Sequence, residues 1–393
     1  MQVVQVRLPA RKQEYEIKID AHLLSELGRS ARVCLGEGAR RAAVISNKTV
    51  FDLYGERAVK SLCASGFKVA HSLMNEGEQH KSLRSFEKLL EFLSESRLER
   101  GDAVVALGGG VVGDLAGFAA AVYLRGIAFI QVPTTLLAQI DASVGGKTGV
   151  NTPAGKNLVG AFHQPKLVLI DTQTLQTLPR RELTSGWCEA VKQGAAGDRR
   201  LFDQTMRLLR RCSVDFSLPR EREESQTEVY ATEVCATIAA HCRFKASIVA
   251  GDEREEISRD DHRSRRILNF GHTIAHALEN ITGYRRFRHG EAVGYGMLVA
   301  GEISKSLGML APNELELLRE AVRLCGPLPR ADALSTEKIG AAIKLDKKSV
   351  SGIIKWVLLE RIGRARIVSG NEIDKRVIRS SIRAGLQSQN RER

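Results

Sequence analysis

The strongest constraint on the fold is a change of pattern near residue 178. Before it, short runs of strand-forming residues alternate with helical segments such as SLRSFEKLLEFLSES; the runs are RAAVISN, FKVAHSLM, DAVVALGGG, IAFIQVPTT and KLVLID. This order predicts a parallel sheet covered by helices. From Pro179 onward, long amphipathic segments predict a mainly helical half. We therefore predict an α/β domain at residues 1–178 and a mainly α-helical domain at residues 179–393, with a site in the cleft between them.

The two ends of the chain suggest smaller elements. The N-terminal segment MQVVQVRLPARKQ alternates polar and apolar residues, which predicts a strand and not a signal peptide. Near the C-terminus, GIIKWVLLE and RARIVSG flank Arg361–Gly363 and predict a β-hairpin, and the last residues, SQNRER, are expected to fray. No run of about 18 apolar residues occurs, so we expect no membrane-spanning segment.

Composition narrows the class of protein. The chain has 393 residues and a formal net charge of +13, but its aromatic content is only 5% and its basic residues are scattered. We therefore expect no nucleic-acid partner, and expect part of the charge to face an anionic small molecule. The seven cysteines are widely spaced and form no CxxC pair, which favours reduced thiols in a cytoplasm.

A glycine cluster follows the strand AVVAL and precedes an apolar helix. Gly108, Gly110 and Gly113 formally satisfy GxGxxG, a pattern that lets backbone N–H groups and a helix N-terminus approach a pyrophosphate. The acidic residue expected about 20 positions later is missing from AFIQVPTTLLA, which disfavours an ordinary Rossmann dehydrogenase. Dinucleotide binding and a tight structural turn both remain open.

A second cluster, Gly145-Gly146-Lys147-Thr148, ends like a phosphate-binding P-loop, but Asp141 stands where that motif requires its first glycine. We predict instead a loop from Asp141 to Asn157, whose lysines and amides suit a polyhydroxylated anionic ligand. The alternative is that its lysines are simply solvated.

Three histidines lie close together in the helical half. His272 and His276 are four residues apart, so they share one helix face, and a polar loop leads to His289. A metal with an open coordination position typically takes three His or carboxylate ligands. The alternative is that each histidine caps a helix or fills a polar gap.

Taken together, these segments resemble 3-dehydroquinate synthase, a family of the sugar phosphate cyclase superfamily. The resemblance runs from about residue 40 to 368 and rests on ordered blocks: GGGVVGDLAGFAAAVYLRGI, QVPTTLLAQIDASVGGKTGVN, GKNLVGAF, LPRRELTSGWCEAVK, DERE, LNFGHTIAHALE and HGEAVGYGM. It implies a two-domain fold: an α/β N-terminal domain with a parallel-rich sheet and an NAD site, and a mainly α-helical metal-binding domain.

The resemblance also implies an activity. Enzymes of this family are lyases that convert 3-deoxy-D-arabino-heptulosonate 7-phosphate to 3-dehydroquinate and phosphate, the second step of the shikimate pathway. They use NAD and a divalent metal, zinc or cobalt, and proceed by transient oxidation, β-elimination, reduction and aldol closure. We accordingly expect a cytoplasmic enzyme, a homodimer, with an anionic sugar phosphate as its small-molecule partner.

Site residues follow from the same resemblance. It implies that Glu189, His272 and His289 bind the metal and that His276 is an acid/base or hydrogen-bonding residue beside the substrate. The other substrate-side residues would be Asp141, Lys147, Asn157, Lys192, Lys245, Arg265 and Asn269, with Lys347 or Lys348 at the phosphate end. The NAD site would comprise Glu78, Lys81, Gly109, Gly110, Val111, Asp114, Thr134, Thr135, Lys156, Thr177 and Leu178.

One departure from the family pattern concerns the loop before Arg265. The segment EISRDDHRS makes this loop about six residues longer than usual. A longer loop can displace Arg265 or hand its role to Arg266, whereas His262 within it is expected to be solvated.

Two other enzyme classes are alternatives. Related sugar phosphate cyclases make valiolone or inosose products, but Asn269 and His276 keep the dehydroquinate-type identity. A metal-dependent polyol dehydrogenase of similar plan would release NADH.

Overall fold

A six-stranded, all-parallel sheet organises the first half of the protein. The computed structural model describes residues 14–211, 224–256, 258–345 and 354–387. The sheet order is β1-β8-β5-β4-β2-β3, and β6–β7 and β9–β10 are separate antiparallel hairpins. The strands are β1 (Glu16–Asp20), β2 (Arg41–Asn47), β3 (Lys68–Met74), β4 (Ala103–Gly108), β5 (Ala128–Pro133), β6 (Lys147–Thr152), β7 (Gly155–Phe162), β8 (Leu167–Asp171), β9 (Lys355–Arg361) and β10 (Arg364–Ser369).

Long helices dominate after the last strand of this sheet. The helices are α1 (Leu27–Leu35), α2 (Lys48–Val50), α3 (Glu56–Ala64), α4 (Leu83–Glu95), α5 (Gly110–Val122), α6 (Arg180–Gly197), α7 (Arg199–Arg211), α8 (Glu224–Gly251), α9 (His272–Ile281), α10 (His289–Ser306), α11 (Pro312–Leu324), α12 (Thr336–Leu345) and α13 (Lys375–Gln387). Among the described segments, no helix combines the length and apolarity needed to cross a bilayer.

Alternating side chains of the strands build two cores on opposite faces of the sheet. In β4, Val105 and Leu107 belong to one apolar cluster and Val104 and Ala106 to the other, as the two-residue period of a strand requires. β8 connects the halves, because Leu167 and Leu169 join the first cluster while Val168 and Ile170 join the large core of the helical half.

Most of the predicted elements are confirmed. All five strand-forming runs lie in the parallel sheet, the second half is mainly helical, and the C-terminal hairpin is β9–β10. The strand predicted within residues 1–13 and the frayed tail at 388–393 lie outside the described residues. β1 follows that predicted strand and was missed. The predicted domain boundary at residue 178 falls between the end of β8 and the start of α6 and stays a prediction.

The predicted loop from Asp141 to Asn157 is wrong. After a π-helical turn at Ala138–Ala142, the chain forms the β6–β7 hairpin. Gly149 and Gly160 face each other across the hairpin, and a Cβ on Gly160 would lie 2.1 Å from Thr148 O. These glycines permit close backbone contact between strands, so their abundance was misinterpreted as a loop signal.

The strand order contains a switch point, where open α/β sheets form a crevice outside the carboxyl ends of their strands. The chain passes from β2 to β3 on one side and then returns past β2 to β4 on the other, so the direction of strand addition reverses between β2 and β4. Ligands of open α/β sheets bind outside the carboxyl ends of strands at such a point. The Gly108–Gly110 turn, which joins β4 to α5, lies there.

Candidate active site

Three helices bring together a cluster of metal-ligating side chains. Glu189 lies within α6, whereas His272 and His289 are the first residues of α9 and α10. One ligand atom from each lies within 4.8 Å of the other two, and the two imidazole centroids are 5.1 Å apart. This is the set that the family resemblance implied.

Glycines allow these helices to approach so closely. A Cβ on Gly290 would lie 1.9 Å from Ser185 O in α6, and a Cβ on Gly296 would lie 1.9 Å from Gly271 O, just before α9. Gly271 itself has a φ of 78°, in the left-handed region that favours glycine. Side chains at these positions would separate α10 from the helices that carry Glu189 and His272.

The chemistry of the cluster fits a divalent cation. Both carboxylate oxygens of Glu189 are buried, and neither accepts a well-directed hydrogen bond within the described structure, although Lys192 Nζ lies 2.5 Å from Oε2. His272 Nδ1 lies 3.3 Å from Phe270 O. We assign the ring proton to that nitrogen, which leaves Nε2 as a ligand. One carboxylate and two imidazoles form a three-ligand set of the kind zinc takes in catalytic sites.

Glu279 supports the cluster and was missed in the sequence. Its Oε1 lies 3.4 Å from His289 Nδ1 and 3.1 Å from Lys156 Nζ. Burial by itself would raise the pKa of Glu279, but His289 and Lys156 lower it to about 2. A carboxylate in this position orients a ligating imidazole. The signal was present, because Glu279 lies three residues after His276 on the same face of α9.

His276 lies beside the cluster but outside it. Its ring centroid is 5.5 Å from that of His272 and 6.2 Å from that of His289. The group of ligand atoms that lie within 4.8 Å of one another does not include it. Of the two histidines at i and i+4, His272 therefore belongs to the cluster and His276 lies next to it.

A partly buried ion pair adjoins the cluster. Lys245 Nζ of α8 lies 2.7 Å from Asp141 Oδ1 and donates to Asp141 O at 2.5 Å. Burial would raise the pKa of Asp141, but Lys245 and Lys192 hold it well below its usual range. Burial lowers the pKa of Lys245, against the pull of Asp141. Lys245 is nearly shielded from solvent, whereas the Asp141 side chain keeps 23% of its exposure, so this ion pair is only partly open to water.

Glu255 joins two of the predicted substrate residues, although we did not select it from the DERE block. It accepts a hydrogen bond from Asn269 Nδ2 at 2.8 Å and forms an ion pair with Lys147. Its φ of 55° is unusual for a non-glycine residue. The backbone at Glu255 is therefore held in an energetically unfavourable conformation, and its side chain contacts two of the residues predicted to bind substrate, Lys147 and Asn269.

The long loop before Arg265 leaves that residue buried beside the site. Asp252 Oδ1 accepts from Glu256 N and Asp252 Oδ2 from Arg265 N, each at 2.8 Å, so one carboxylate holds both ends of the loop. The Arg265 guanidinium donates to Gly145 O at 3.1 Å. Arg266 instead pairs with Asp260 at 2.7 Å within the loop. His262 is exposed, as expected.

The residues predicted to bind NAD divide into two groups. The first group follows the carboxyl ends of β4, β5 and β8. Gly109 is the N-cap of α5, and a Cβ on it would lie 3.1 Å from Thr135. Thr134 Oγ1 is buried and has no hydrogen-bond partner among the described residues. Thr177 Oγ1 lies 2.5 Å from the hydroxyl of Tyr54. The remaining members of this group are Gly110, Val111 and Leu178.

The second group forms ion pairs at the β6–β7 hairpin. Lys81 pairs with Asp114 and donates to Asn157 Oδ1 at 2.6 Å. Lys156 Nζ lies 3.7 Å from Glu78 and also contacts Glu279. Asn157, predicted on the substrate side, therefore lies with two of the predicted cofactor residues. Lys347 and Lys348 lie outside the described residues.

Comparison with known proteins covers nearly the whole chain. Residues 71–185 match the family model described as 3-dehydroquinate synthase N-terminal, and residues 186–349 match the C-terminal model. The chain is 43% identical over 380 residues to the 3-dehydroquinate synthase of Nostoc punctiforme, with 96% of this chain and 98% of that protein covered.

Solved structures share the architecture. A 2-epi-5-epi-valiolone synthase from Streptomyces hygroscopicus, with NAD+ and Zn2+ bound, matches with a TM-score of 0.80 at 27% identity, covering 97% of this chain and 99% of the other. A 2-deoxy-scyllo-inosose synthase complexed with carbaglucose-6-phosphate, NAD+ and Co2+ matches with a TM-score of 0.76 at 24% identity, covering 95% and 97%, and shows the common fold.

Proposed function

The chain belongs to the 3-dehydroquinate synthase family, and from this premise we propose that it converts 3-deoxy-D-arabino-heptulosonate 7-phosphate to 3-dehydroquinate and phosphate, the second step of the shikimate pathway. The main support for the proposal is the cluster of Glu189, His272 and His289, which lies beside the partly buried Asp141–Lys245 pair. Identity of 43% over nearly the full length of both proteins favours this activity over that of other cyclases.

NAD would supply a reversible hydride acceptor, and a divalent metal, zinc or cobalt, would polarise a substrate oxygen. Glu189, His272 and His289 would hold the metal, because their ligand atoms converge within 4.8 Å of one another and the buried carboxylate keeps Oε1 free of Lys192, which contacts Oε2. Glu279 would keep His289 in the ligating orientation. His276, next to but outside the ligand set, would exchange a proton with the substrate.

Buried cations suit a substrate that carries both a carboxylate and a phosphate. Lys192, Lys245 and Arg265 are all nearly shielded from solvent, so an anion beside them gains more than it would from exposed lysines. Asn269 and Lys147, both held by Glu255, would bind polar substrate oxygens. Asp141 would accept from a substrate hydroxyl.

The crevice at the carboxyl edge of the sheet would hold NAD. Gly109, Gly110 and Val111 place backbone N–H groups of the α5 N-terminus at its mouth. The unpartnered Thr134 hydroxyl offers a further polar contact. Lys156, which lies between Glu78 and Glu279, would connect this region to the metal ligands.

We predict that the purified, metal-loaded protein releases phosphate from 3-deoxy-D-arabino-heptulosonate 7-phosphate in the presence of NAD, without net accumulation of NADH. The reason is that the ketone formed by oxidation is reduced again within the same cycle, so NAD is regenerated. Phosphate release and absorbance at the NADH wavelength are followed in one reaction. Steady NADH production on a polyol, with no phosphate release, would identify a dehydrogenase instead.

The same assay also tests whether this protein has the activity of a related cyclase, because the valiolone synthase matches its structure over the full length. A sugar phosphate without the carboxylate serves as the comparison substrate. Because the proposed enzyme uses buried cations to hold an acid, we expect it to prefer the heptulosonate by at least about tenfold in kcat/KM. Equal or better turnover of the sugar phosphate without the carboxylate would assign the chain to another cyclase activity.

We further propose that the protein is a cytoplasmic homodimer. The described cysteines are all free thiols, which suits a reducing compartment. In β7, Leu158 and Phe162 are 47% and 46% exposed. Val122, the last residue of the neighbouring α5, and Leu124, in the turn that follows it, are also exposed. An exposed edge strand beside apolar side chains is a surface that a second copy can cover.

The expected mass in light scattering is twice the chain mass of 43.2 kDa. Phe162→Lys should shift the protein toward monomer, because a buried unpaired charge opposes association. Val33→Lys, at an apolar residue of α1 that is 74% exposed, should not. A monomeric wild-type protein at micromolar concentration would contradict the proposal.

A further inference from the structure

A chain of buried polar side chains approaches Asp141 from the side of α7. Thr205 of α7, His241 of α8 and Gln193 of α6 are fully shielded from solvent. His241 Nε2 lies 3.0 Å from Thr205 Oγ1, and His241 Nδ1 lies 3.0 Å from Gln193 Oε1. Gln193 Nε2 donates to Ile140 O at 3.0 Å and to Asp141 Oδ1 at 3.3 Å.

The contacts determine the orientation of each group. Ile140 O and Asp141 Oδ1 are both acceptors, so the amide nitrogen of Gln193 must face them and its oxygen must face His241. His241 therefore donates from Nδ1, and its Nε2 faces the Thr205 hydroxyl, whose single proton is shared between Nε2 at 3.0 Å and Leu201 O at 2.8 Å. Burial lowers the pKa of His241 to about 3, so the ring stays neutral at physiological pH.

We propose that His241 and Gln193 are positioning residues for the Asp141–Lys245 pair, an inference that rests on the proposed function because only there are Asp141 and Lys245 assigned to the substrate. His241 and Lys245 are one turn apart on α8. Lys245 contacts Asp141 directly, whereas His241 acts on Asp141 through the Gln193 amide. Without the Nδ1–H donor, the Gln193 amide is free to rotate its oxygen toward Asp141 and repel it.

The test compares two substitutions of His241. His241→Phe substitutes a slightly larger aromatic ring that has no nitrogen. We expect kcat for phosphate release to fall about 10- to 100-fold, as misplacement of a substrate-binding group does. His241→Asn restores a donor near the position of Nδ1, so its kcat should return to within about fivefold of wild type. Zinc content and NAD affinity should be unchanged in both variants.

Cys242→Ala is the matched control. Cys242 is buried on the same turn of α8 as His241. Its thiol donates to Gln139 O and does not contact Thr205, His241 or Gln193, so kcat should not change. All rates are normalised to the folded fraction from thermal unfolding. Equal losses in the Phe and Asn variants, or none in the Phe variant, would show that His241 only packs.

A second measurement does not depend on activity. The imidazole ¹⁵N shifts of wild-type His241, identified by their loss in His241→Asn, should show a neutral ring protonated at Nδ1 at neutral pH. A ring protonated at Nε2 would overturn the inference even in an active enzyme. If phosphate release fails in the wild type while the tautomer is as stated, the proposed function is wrong and the arrangement of Gln193 stands.

Discussion

Replacing His272 by alanine is expected to remove the metal, whereas replacing His276 should leave the metal in place and lower the rate. His272 belongs to the cluster whose ligand atoms lie within 4.8 Å of one another, and His276 lies beside it. Loss of one of three protein ligands should weaken metal binding by more than the 10- to 100-fold typical of outer-shell changes, roughly a thousandfold. Loss of a proton-transfer group typically costs about 10²–10⁴ in rate.

Metal content after dialysis against a weak chelator, together with kcat at saturating zinc, separates the two roles. The control is His262→Ala, since His262 is exposed in the long loop before Arg265, and both quantities should match wild type there. Equal metal loss in the His272 and His276 variants would make His276 a ligand and overturn the assignment.

Replacing Gly296 by alanine is expected to destabilise the protein and to weaken metal binding at a distance. The added Cβ would lie 1.9 Å from Gly271 O, and a backbone carbonyl cannot rotate away as a side chain can. Overpacking of a core typically lowers the free energy of unfolding by about 1–3 kcal/mol. Because the added Cβ meets backbone and not a movable side chain, we expect a loss of about 3 kcal/mol or more. Because Gly271 directly precedes His272, the displaced α9 would carry a ligand out of position.

Gly340→Ala in α12 provides the matched control. Gly340 is also helical, but a Cβ there meets nothing within 4 Å, so alanine should stabilise the protein by about 0.5–1 kcal/mol through helix propensity. Urea unfolding of the metal-free variants gives the free energies, and zinc titration gives the affinities. Wild-type stability and zinc affinity in Gly296→Ala would show that α9 and α10 can separate without cost.

Local patterns predicted the secondary structure well because they reflect backbone geometry over a few residues. The strand runs from RAAVISN to KLVLID became β2 to β5 and β8, and the His-rich segment became α9. The errors arose where one residue type serves two purposes. Glycines near Gly149 and Gly160 indicated a loop but allow strands to approach, so the β6–β7 hairpin was missed.

The candidate site was only partly accessible from the sequence. The i, i+4 spacing of His272 and His276 suggested chelation by both, and the resemblance to a family was needed to introduce Glu189. Glu279 had a local signal, its position on the face of α9 that carries the histidines. Gln193 and His241 had none, because nothing in their neighbourhoods indicates that α6 and α8 place them 3.0 Å apart.

The sequence by itself determined the parallel sheet, the helical second half and the face of α9 that carries the histidines, since each follows from periods of two or 3.6 residues. Only the tertiary structure decided which side chains act together. Glu189 stands 83 positions before His272, and the two meet because Gly290 and Gly296 let α10 lie against both neighbouring helices. Such contact depends on the absence of side chains at helix crossings, and a glycine in a sequence does not specify which backbone it will face.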